Sequence, residues 1–479
     1  MKKIGIDAIS FYVPTLKVEM QDLAERRNIP YEKLNRGLGL QSMAVPDVNE
    51  DAASFAANAL LRLFEDNNLD PREIGRIYLG TESAVDGSKP TATYAIETVE
   101  EKLSSTYGER CFKNCDVVDM TFACIGAVDA LHNSMDWVRG NENRKAIVIA
   151  SDLSKYELLS TGEYTQGAGA VAVLITHNPS IVAIDDVWGV ATKSEGDFFK
   201  PRRIFRKSAI LKEVVAKLNL NYSDEELDEI FSDSESEFWS DPNHAVEVFR
   251  EEPVFDGQFS NQCYSDRITE AFDHFNSQKT TDFVTDWNNF VFHLPYAYHG
   301  RRIVFDNWLN WIKSNGQYDG LIEEVGAFDE ENKKDWLKRA SKSNLYRNFV
   351  TSKIAAGEKA SSLIGNMYTA SIFMSLLSLL CDAHLNDLEI ENNTIGFIAY
   401  GSGSKSKVFQ GTVQENWKGK VKGIELFENL ASRTSIDIDT YEQLHKSQLV
   451  KPISNGVKIT MTHVENGETN KGLRRYSIN

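Results

Sequence analysis

The sequence predicts an α/β protein with a largely buried sheet. Strand and helix patterns alternate over residues 1–180, which is typical of helices packed on a parallel or mixed sheet. Two runs, at 146–150 and 171–175, are apolar at nearly every position, as in strands that are covered on both faces. Strand patterns resume after residue 180 with helices between them, so a second α/β half is expected over 181–479.

Composition and charge bound the class of protein. The chain has 479 residues, of which 42% are hydrophobic and 25% are charged, as in globular proteins. It contains no run of eighteen or more apolar residues, so no membrane span is expected. The net charge of −18 disfavours nucleic-acid binding, which needs a basic face, but it is compatible with a local basic patch that binds an anionic small molecule.

The start of the chain and its cysteines indicate a cytoplasmic protein. Residues 1–3 include two lysines, but the residues after them lack the apolar core of a signal peptide and are expected to begin the fold. The five cysteines are few and odd in number, which favours a reducing compartment over a disulfide framework. Cys111 and Cys115 lie close together without a Cys/His pair at zinc-finger spacing, so no metal site is expected.

Apolar periodicity and turn residues place the individual elements. Strands are expected at 4–13, 74–80, 181–190, 395–400 and 407–412. Helices are expected around 18–27 and 51–65 and after Cys124. Residues 204–250 interrupt this pattern with a basic cluster and then with acidic runs at 224–229 and 233–237. We interpret them as an inserted, partly helical surface segment.

Glu82 follows the carboxyl end of the strand predicted at 74–80. Functional residues of α/β folds collect at this end of the sheet. The alternative is a solvated loop carboxylate, which is the usual environment of glutamate. The glycines of 166–170 open a strand rather than a helix and match no phosphate-loop motif, so they indicate close packing beside a site.

Cys124 lies where an apolar stretch turns into a helical pattern. The apolar residues that recur at helical spacing are Ile125, Val128, Leu131, Met135 and Val138. A thiol in the first turn of such a helix faces free backbone N–H groups and the positive end of the helix dipole. Both favour the thiolate, which is the nucleophilic form. The alternative is a buried cysteine that acts as a small hydrophobe.

Three later stretches place polar groups at the ends of predicted elements. His293 ends an apolar strand, Asn366 lies near the start of an apolar helix, and Gly401–Gly403 form a turn after a strand. Each has an ordinary alternative: a core histidine, a helix N-cap and a tight turn.

Together these residue types are the parts of acyl-transfer chemistry that makes carbon–carbon bonds. A thiolate takes up an acyl group as a thioester, and a carboxylate removes a proton from the carbon beside the thioester carbonyl. Histidine and asparagine bond to the carbonyl oxygen of a second substrate, and backbone N–H groups at Cys124 and in the 401–403 turn form an oxyanion hole. Spacing alone does not bring these groups together, because they spread from residue 82 to residue 403.

The same stretches resemble the 3-hydroxy-3-methylglutaryl-CoA synthase family of the thiolase superfold. The resemblance covers most of the chain and rests on motifs in a fixed order: 11–14, 43–46 with Glu50-Asp51, 80–83, 122–124, Ser151-Asp152, 166–170, 197–201, Asp256-Gly257 with Ser260 and Tyr264, 292–295, 365–369 and 400–404. A cysteine alone fits any thiolase relative, whereas Glu82 with His293 and Asn366 narrows the resemblance to this branch. The resemblance implies two similar α/β halves, 1–180 and 181–479, with mixed sheets between helical layers.

The resemblance also implies a role for each matching residue. Cys124 would be acetylated by acetyl-CoA, and Glu82 would remove a proton from the acetyl methyl group. His293 would polarise the ketone of acetoacetyl-CoA with help from Asn366. Backbone N–H groups of Cys124 and Ser402 would stabilise the thioester oxyanion, and water would release the product. Further substrate-binding or supporting positions are Tyr368, Gly401, Gly403, Asp152 and Asp197.

The implied activity is that of an acyltransferase, the hydroxymethylglutaryl-CoA synthase of the mevalonate pathway to isoprenoids. The family works without a metal or a further cofactor and usually as a homodimer. One departure concerns Tyr298, which stands where the family often has lysine, with Arg301-Arg302 further on in place of a lysine pair. Contacts with the CoA phosphates are therefore expected to differ, although arginine binds phosphate well. The 204–250 insertion is expected to cover the CoA entrance, to extend the dimer interface, or to do neither.

Three alternatives to this activity stay open. A close relative performs β-branching on a polyketide held by an acyl carrier protein, with the same catalytic residues. A non-catalytic paralogue would have lost at least one of the four central residues, but Cys124, Glu82, His293 and Asn366 are all present. A cysteine-dependent thioesterase needs only Cys and His and gives no task to Glu82.

Overall fold

Strands and helices alternate through most of the computed structural model, which describes residues 3–230, 237–240, 244–454 and 456–479. The strands are β1 (Ile4–Tyr12), β2 (Leu16–Glu19), β3 (Ser42–Val45), β4 (Ile74–Gly80), β5 (Asp116–Met120), β6 (Lys145–Ser154), β7 (Gly167–His177), β8 (Val182–Thr192), β9 (Phe198–Phe199), β10 (Arg203–Arg206), β11 (Ala245–Val248), β12 (Val254–Phe255), β13 (Asn289–Phe292), β14 (Thr394–Gly401), β15 (Lys405–Val413), β16 (Thr434–Ser435), β17 (Ile459–Val464) and β18 (Arg474–Ile478).

The helices complete the description of the elements. They are α1 (Met20–Arg26), α2 (Ala52–Asn67), α3 (Thr91–Tyr107), α4 (Gly126–Arg139), α5 (Lys207–Lys217), α6 (Asp224–Ile230), α7 (Glu237–Ser240), α8 (Gly257–Gln278), α9 (Phe283–Asp286), α10 (His299–Ile303), α11 (Phe305–Ser314), α12 (Tyr318–Val325), α13 (Lys333–Ala340), α14 (Asn344–Lys353), α15 (Ala355–Ile364), α16 (Ser371–Leu385), α17 (Trp417–Val421), α18 (Leu426–Ala431) and α19 (Ile438–His445). Short 3-10 turns lie at Pro71–Glu73, Glu163–Thr165 and Tyr368–Ala370, and a π-helical turn lies at Lys33–Gly37.

One mixed sheet connects the first and second parts of the chain. Within the described residues its strand order is β13-β14-β15-β8-β1-β7-β6-β4-β5. The pairs β4/β5, β4/β6 and β13/β14 are parallel, and the other neighbours are antiparallel. A short pairing of Ile4–Ile6 with Val182–Ile184 joins the strands of the first part to those of the second.

Helices cover both faces of this sheet, as the apolar runs predict. In β6, Val148 lies in the central core with α4 and α16, whereas Ile147 lies in the outer core with α2 and α3. In β14, Phe397 lies in the same central core, whereas Ile398 packs in the core that contains α8. Successive strand residues point to opposite faces, so a strand between two helical layers needs apolar residues throughout.

The helix α2 shows why the local sequence folds as it does. Its apolar residues face the outer core, and Asp51 caps its N-terminus by accepting hydrogen bonds from the N–H groups of Ala53 and Ser54, both at 3.0 Å. Ser54 in turn accepts from the Asp51 N–H at 2.8 Å, which completes a capping box. The helix predicted at 51–65 therefore begins one residue later and ends at Asn67.

The predicted helix at 18–27 differs from the observed structure. Its first residues instead form β2, which pairs with β3 in a small separate sheet, and the helix α1 starts only at Met20. The alternation of buried and half-buried residues over Leu16–Glu19 fits a strand, which a helical interpretation of the region overlooks.

The stretch Tyr368–Leu385 is long and apolar enough to span a membrane by length and composition alone. However, 83% of it is buried within the protein. Its residues pack in the central core with α4, as in the core helix of a globular protein.

Residues 198–255 form a compact unit of their own. It contains the antiparallel pairs β9/β12 and β10/β11 and the helices α5, α6 and α7. It includes the region 204–250 that the sequence predicts as a partly helical insertion. Most side chains of α5 are exposed. Part of the acidic run predicted at 233–237 lies outside the described residues.

Candidate active site

Cys124 and Glu82 meet at the carboxyl ends of two neighbouring parallel strands. β4 ends at Gly80, which pairs with Met120 at the end of β5. Glu82 lies two residues beyond β4, and Cys124 lies four residues beyond β5. The Sγ atom of Cys124 donates a hydrogen bond to Oε1 of Glu82 at 3.1 Å. The candidate nucleophile and the candidate base are therefore in direct contact.

A glycine at the end of β4 and another at the start of α4 allow the helix to lie close to the strand ends. A Cβ atom on Gly80 would lie 2.2 Å from the backbone nitrogen of Ala127 in the first turn of α4. A Cβ atom on Gly126 would lie 2.6 Å from the carbonyl oxygen of Met120. Since neither position tolerates a side chain, the helix can approach the strand ends closely only with glycine at both.

The cysteine lies just before its helix and not in the first turn that the sequence predicts. α4 begins at Gly126, with Ile125 as its N-cap. The preceding residue Ala123 has a φ of +39°, so the backbone turns there before the helix can start. Cys124 is 8% exposed, and in the first turn of the helix the Ala127 N–H donates to Oγ1 of Thr369 at 2.8 Å.

Asp152 is a fully buried carboxylate that joins the Glu82 loop to a later segment. Its Oδ1 accepts from the Thr81 hydroxyl at 2.9 Å and from the Glu82 N–H at 2.8 Å, and its Oδ2 accepts from the Thr369 N–H at 3.0 Å. Burial and the nearby charge of Glu82 raise the pKa of Asp152. Asp152 therefore fixes the backbone that carries Glu82. None of these three hydrogen bonds involves Cys124.

His293 is buried at the carboxyl end of β13, the strand end at which the sequence predicts it. Its Nδ1 lies 2.6 Å from the hydroxyl of Ser371, and that hydroxyl lies 2.8 Å from the Tyr368 carbonyl oxygen. Tyr264 donates its hydroxyl hydrogen bond to the His293 carbonyl oxygen at 2.7 Å. Burial lowers the pKa of His293 to about 3, so the imidazole is neutral at pH 7.

This lowered pKa predicts a pH-dependent stability. Below pH 6.5 the unfolded chain takes up a proton on His293, which the folded protein refuses until about pH 3. The free energy of unfolding should therefore fall as the pH drops, by about 2 kcal/mol from this group at pH 5. Urea unfolding of the protein and of His293→Gln at pH 7 and pH 5 should show a smaller loss in the variant. Equal losses would show that the folded protein protonates His293 normally.

Asn366 and Tyr368 lie on a tight turn against the strand β7. The Asn366 N–H donates to the Thr165 carbonyl oxygen at 2.9 Å, and its Oδ1 accepts from the Tyr368 N–H at 2.8 Å. A Cβ atom on Gly167 would lie 2.7 Å from the Asn366 carbonyl oxygen, so the small residue predicted beside a site is required by this approach. Asn366 caps this turn, while α16 begins only at Ser371.

The Gly401–Ser404 turn, between β14 and β15, packs against the cysteine loop. A Cβ atom on Gly401 would lie 2.7 Å from the Phe122 carbonyl oxygen. Asp197 holds the turn: its Oδ1 accepts from the Gly403 N–H at 2.8 Å, and its Oδ2 accepts from the Tyr400 hydroxyl at 2.7 Å. Ser402 lies within this turn, directly after Gly401 in the chain.

Tyr156 is a site residue that the sequence analysis missed. Burial and then the charges of Cys124 and Glu82 raise its pKa, which places its phenol within electrostatic reach of both groups. Its N–H donates to Oε1 of Gln166 at 2.7 Å, and its carbonyl oxygen accepts from Nε2 of His445 in α19 at 2.8 Å. The sequence feature that could have identified Tyr156 is its position four residues after Asp152, just beyond the end of β6.

A basic cavity of about 1130 Å³ is lined by residues from 32–37, 298–306 and 337–351. Its charged lining residues are Arg36, Arg301, Arg302, Lys338, Lys342, Arg347, Glu32 and Asp306. The ring of Tyr298 also lines it and lies 3.7 Å beneath the Arg301 guanidinium carbon, while Glu358 pairs with that arginine. With six cations and two carboxylates, the lining attracts an anion even though the chain as a whole is acidic. In the described ranges, no three His, Cys, Asp or Glu side chains are grouped to hold a metal ion.

Comparison with known proteins connects this geometry to a family. Residues 1–180 match the family model for the N-terminal part of hydroxymethylglutaryl-coenzyme A synthase, and residues 238–454 match the model for its C-terminal part. The chain is 28% identical to the hydroxymethylglutaryl-CoA synthase of Haloferax volcanii over 93% of its length and 92% of that protein. It is also 28% identical to the enzyme of Enterococcus faecalis, again over 93% of this chain and 92% of that one.

Solved structures agree with this assignment at the level of the fold. MvaS in complex with 3-hydroxy-3-methylglutaryl coenzyme A aligns over the whole of both chains with a TM-score of 0.74 at 24% identity. The HMG synthase of the curacin biosynthetic pathway, in complex with acetyl donor-ACP, aligns equally fully with a TM-score of 0.69 at 19% identity. These likenesses confirm the thiolase-like α/β fold. By its sequence over most of its length, the chain belongs to the hydroxymethylglutaryl-coenzyme A synthase family.

Proposed function

We propose that this protein is a hydroxymethylglutaryl-CoA synthase that condenses acetyl-CoA with acetoacetyl-CoA. The observation that carries the proposal is the 3.1 Å contact between the Cys124 thiol and the Glu82 carboxylate at the joined strand ends. A thiol beside a carboxylate supplies the two groups that the reaction needs, a nucleophile for the acyl group and a base for carbon.

The first half-reaction transfers the acetyl group to the enzyme. The Cys124 thiol gives up a proton, which CoA takes up later in the step; Glu82 lies within hydrogen-bond distance of the thiol but is not required for this loss. The thiolate attacks the carbonyl carbon of acetyl-CoA, the bond from that carbon to the CoA sulfur breaks, and CoA leaves as a thiol after it takes up a proton. The product is acetyl-Cys124. Backbone N–H groups of Cys124 and Ser402 stabilise the negative oxygen that forms during the attack.

The second half-reaction forms the carbon–carbon bond. Glu82 removes a proton from the methyl group of acetyl-Cys124, and the resulting carbon nucleophile attacks the ketone carbon of acetoacetyl-CoA. His293, neutral at pH 7, donates from Nε2 to the ketone oxygen once the Ser371 hydroxyl turns from the Tyr368 carbonyl oxygen to donate to Nδ1, and Asn366 helps to hold the substrate. The ketone oxygen becomes an alkoxide and takes up a proton, which balances the proton that Glu82 removed and later releases. Water then cleaves the thioester to Cys124, giving a carboxyl group and the free thiol. The sum is acetyl-CoA, acetoacetyl-CoA and water giving 3-hydroxy-3-methylglutaryl-CoA and CoA.

The basic cavity favours CoA over an acyl carrier protein as the carrier of the second substrate. CoA ends in a 3′-phosphate and a diphosphate, whereas a carrier-bound phosphopantetheine arm has a single phosphate. Six cations around one cavity suit the larger number of phosphate charges. This preference supports the proposal that the enzyme acts in the mevalonate pathway, while β-branching on a carrier protein is the alternative outcome of the test.

Intact mass measurement tests the proposal. The protein is incubated with acetyl-CoA alone, and acetoacetyl-CoA or acetoacetyl carrier protein is then added. We expect a gain of one acetyl group on Cys124, which disappears with acetoacetyl-CoA as 3-hydroxy-3-methylglutaryl-CoA forms. Acetylation that persists with acetoacetyl-CoA but is consumed by the carrier protein would establish the alternative. No acetylation at all would overturn the proposed function.

A separate prediction concerns the phosphate contacts. The double change Lys338→Gln with Lys342→Gln removes two exposed cations from the cavity. It should raise KM for acetoacetyl-CoA by about tenfold or more and leave kcat nearly unchanged, since the reacting atoms lie elsewhere. The exposed Lys422, which does not line the cavity, serves as the control in Lys422→Gln. KM is measured for acetoacetyl-CoA and for its 3′-dephospho analogue. If both KM values of the double variant equal those of the wild type, the cavity does not hold the phosphates.

We also propose that the protein acts in the cytoplasm as a homodimer. The five cysteines are few and odd in number, which favours a reducing compartment. Light scattering after size-exclusion chromatography at several concentrations measures the oligomeric state, and a mass of one 54.0 kDa chain throughout would contradict the dimer.

A further inference from the structure

A small charged cluster connects α4 to β15 just beyond the candidate active site. Asp129, in the first turn of α4, pairs with Lys405 and also with Lys407, whose Nζ lies 2.9 Å from its Oδ1. The side chains are only 13%, 15% and 9% exposed, in that order. At this depth the charges are poorly screened by water, so their pairing constrains the two elements more than a surface pair would.

Lys405 is the member of this cluster that contacts the loop before Cys124. It directly follows the Gly401–Ser404 turn, and its Nζ lies 4.0 Å from the ring centroid of Phe122, two residues before Cys124. A lysine over an aromatic face is attracted by the ring electrons. Lys405 thus holds the end of the turn, the loop before Cys124 and the first turn of α4 at one point.

The proposed chemistry depends on how these elements are placed. The oxyanion hole takes one N–H from Cys124 and one from Ser402, and both must lie at about 2.7–3.1 Å from a single oxygen atom. The two donors belong to elements far apart in the chain. The backbone contact of Gly401 with Phe122 prevents them from coming closer, but a steric contact does not prevent them from separating.

We propose that Lys405 is a positioning residue that, through Asp129 and Phe122, holds the Gly401–Ser404 turn against the Cys124 loop. This role rests on the proposed function, because it concerns the two donors of the same oxyanion hole. The attraction opposes separation of the turn and the loop, so the donors keep their spacing as charge develops on the oxygen. A displacement of about 1 Å at such a site costs about 100-fold in rate.

Lys407 provides a matched control on the same carboxylate. It pairs with Asp129, and its Nζ also lies 3.0 Å from Nδ1 of His132, but it lies over the ring of Trp188 at 5.5 Å instead of Phe122. Burial lowers the pKa of His132 to about 4, so that nitrogen can accept from the lysine at neutral pH. Either lysine alone neutralises Asp129, so each single variant leaves no unpaired charge in the cluster.

The test compares Lys405→Met with Lys407→Met and Lys405→Arg in the full-length protein. We expect Lys405→Met to lower kcat and the rate of Cys124 acetylation by about 10- to 100-fold, with KM values changed less than twofold. Lys405→Arg should restore most of the activity, and Lys407→Met should stay within about threefold of the wild type. Lys405→Gln serves as a second neutral variant if the methionine variant is insoluble. Equal losses in Lys405→Met and Lys407→Met, or none in either, would overturn the inference.

Amide hydrogen exchange separates this inference from the proposed function. Lys405→Met should speed exchange in the peptides that contain 122–125 and 401–404, and Lys407→Met should not. This measurement needs no substrate, so it decides the inference even if the wild type proves inactive. An active wild type whose Lys405→Met variant exchanges and reacts normally would overturn the positioning role alone.

Discussion

Serine in place of Cys124 is expected to abolish the covalent acetyl-enzyme and to lower kcat by at least about 1000-fold. The hydroxyl is smaller than the thiol and far less acidic, so at neutral pH it offers almost no anionic nucleophile. Glu82 and the surrounding backbone keep their places, because the substitution changes one atom. Intact mass after incubation with labelled acetyl-CoA, followed by peptide mapping, measures the loss.

Cys115→Ser is the matched control for this experiment. Cys115 is a partly exposed free thiol, but burial of its sulfur and the neighbouring Asp116 raise its pKa to about 12. The Cys115 thiol should therefore not react with acetyl-CoA. In Cys115→Ser, Cys124 should be acetylated at the wild-type rate. Label recovered on the 119–127 peptide of Cys124→Ser would contradict the assignment of the nucleophile.

Removal of Glu82 should separate the two half-reactions. In Glu82→Ala, acetyl-Cys124 should still form, whereas condensation should fall by about 100- to 10,000-fold, because the base that acts on carbon is lost. A second measurement follows deuterium from the solvent into the acetyl group of the enzyme without acetoacetyl-CoA. The wild type should exchange the methyl protons, and the variant should not.

Glu101→Ala, an exposed change on α3, controls for the loss of a negative charge. Loss of acetylation and condensation together in Glu82→Ala would show that Glu82 mainly activates the thiol, which its 3.1 Å contact with Sγ also permits. The thioesterase alternative would be favoured by a different result: Glu82→Ala hydrolyses acetyl-CoA as fast as the wild type, and neither protein catalyses condensation.

The sequence predicted the strands and helices that carry the site better than it predicted their arrangement in space. Apolar runs identified β4, and the helical pattern identified α4, so Glu82 could be placed at a strand end and Cys124 beside a helix. That β4 and β5 are parallel neighbours is a property of the sheet, which no local pattern records. The family resemblance supplied this information, since its motifs carry the spacing of a known fold.

The missed features depend on contacts between distant segments. The exact position of Cys124 follows from the backbone turn at Ala123, which delays the helix and has no signature in apolar periodicity. Asp152 was named only through the family resemblance, because its hydrogen bonds to Thr81 and Thr369 join segments that no local pattern connects. Lys405 and Asp129 are polar residues on different elements, and a sequence predicts for each only a solvated surface position.

The attachment of Tyr156 to α19 has a consequence for biosynthesis. The Tyr156 backbone is held by Gln166 and His445, and Gln166 itself donates to the hydroxyl of Tyr441 in α19 at 2.6 Å. Ribosomes add about 5–20 residues per second, so α19 emerges roughly 15 to 60 seconds after Cys124. During that interval the nascent chain carries the thiol without its complete surroundings. We expect it to consume no acetyl-CoA until the last helix has docked, so that the thioester is used only by finished molecules.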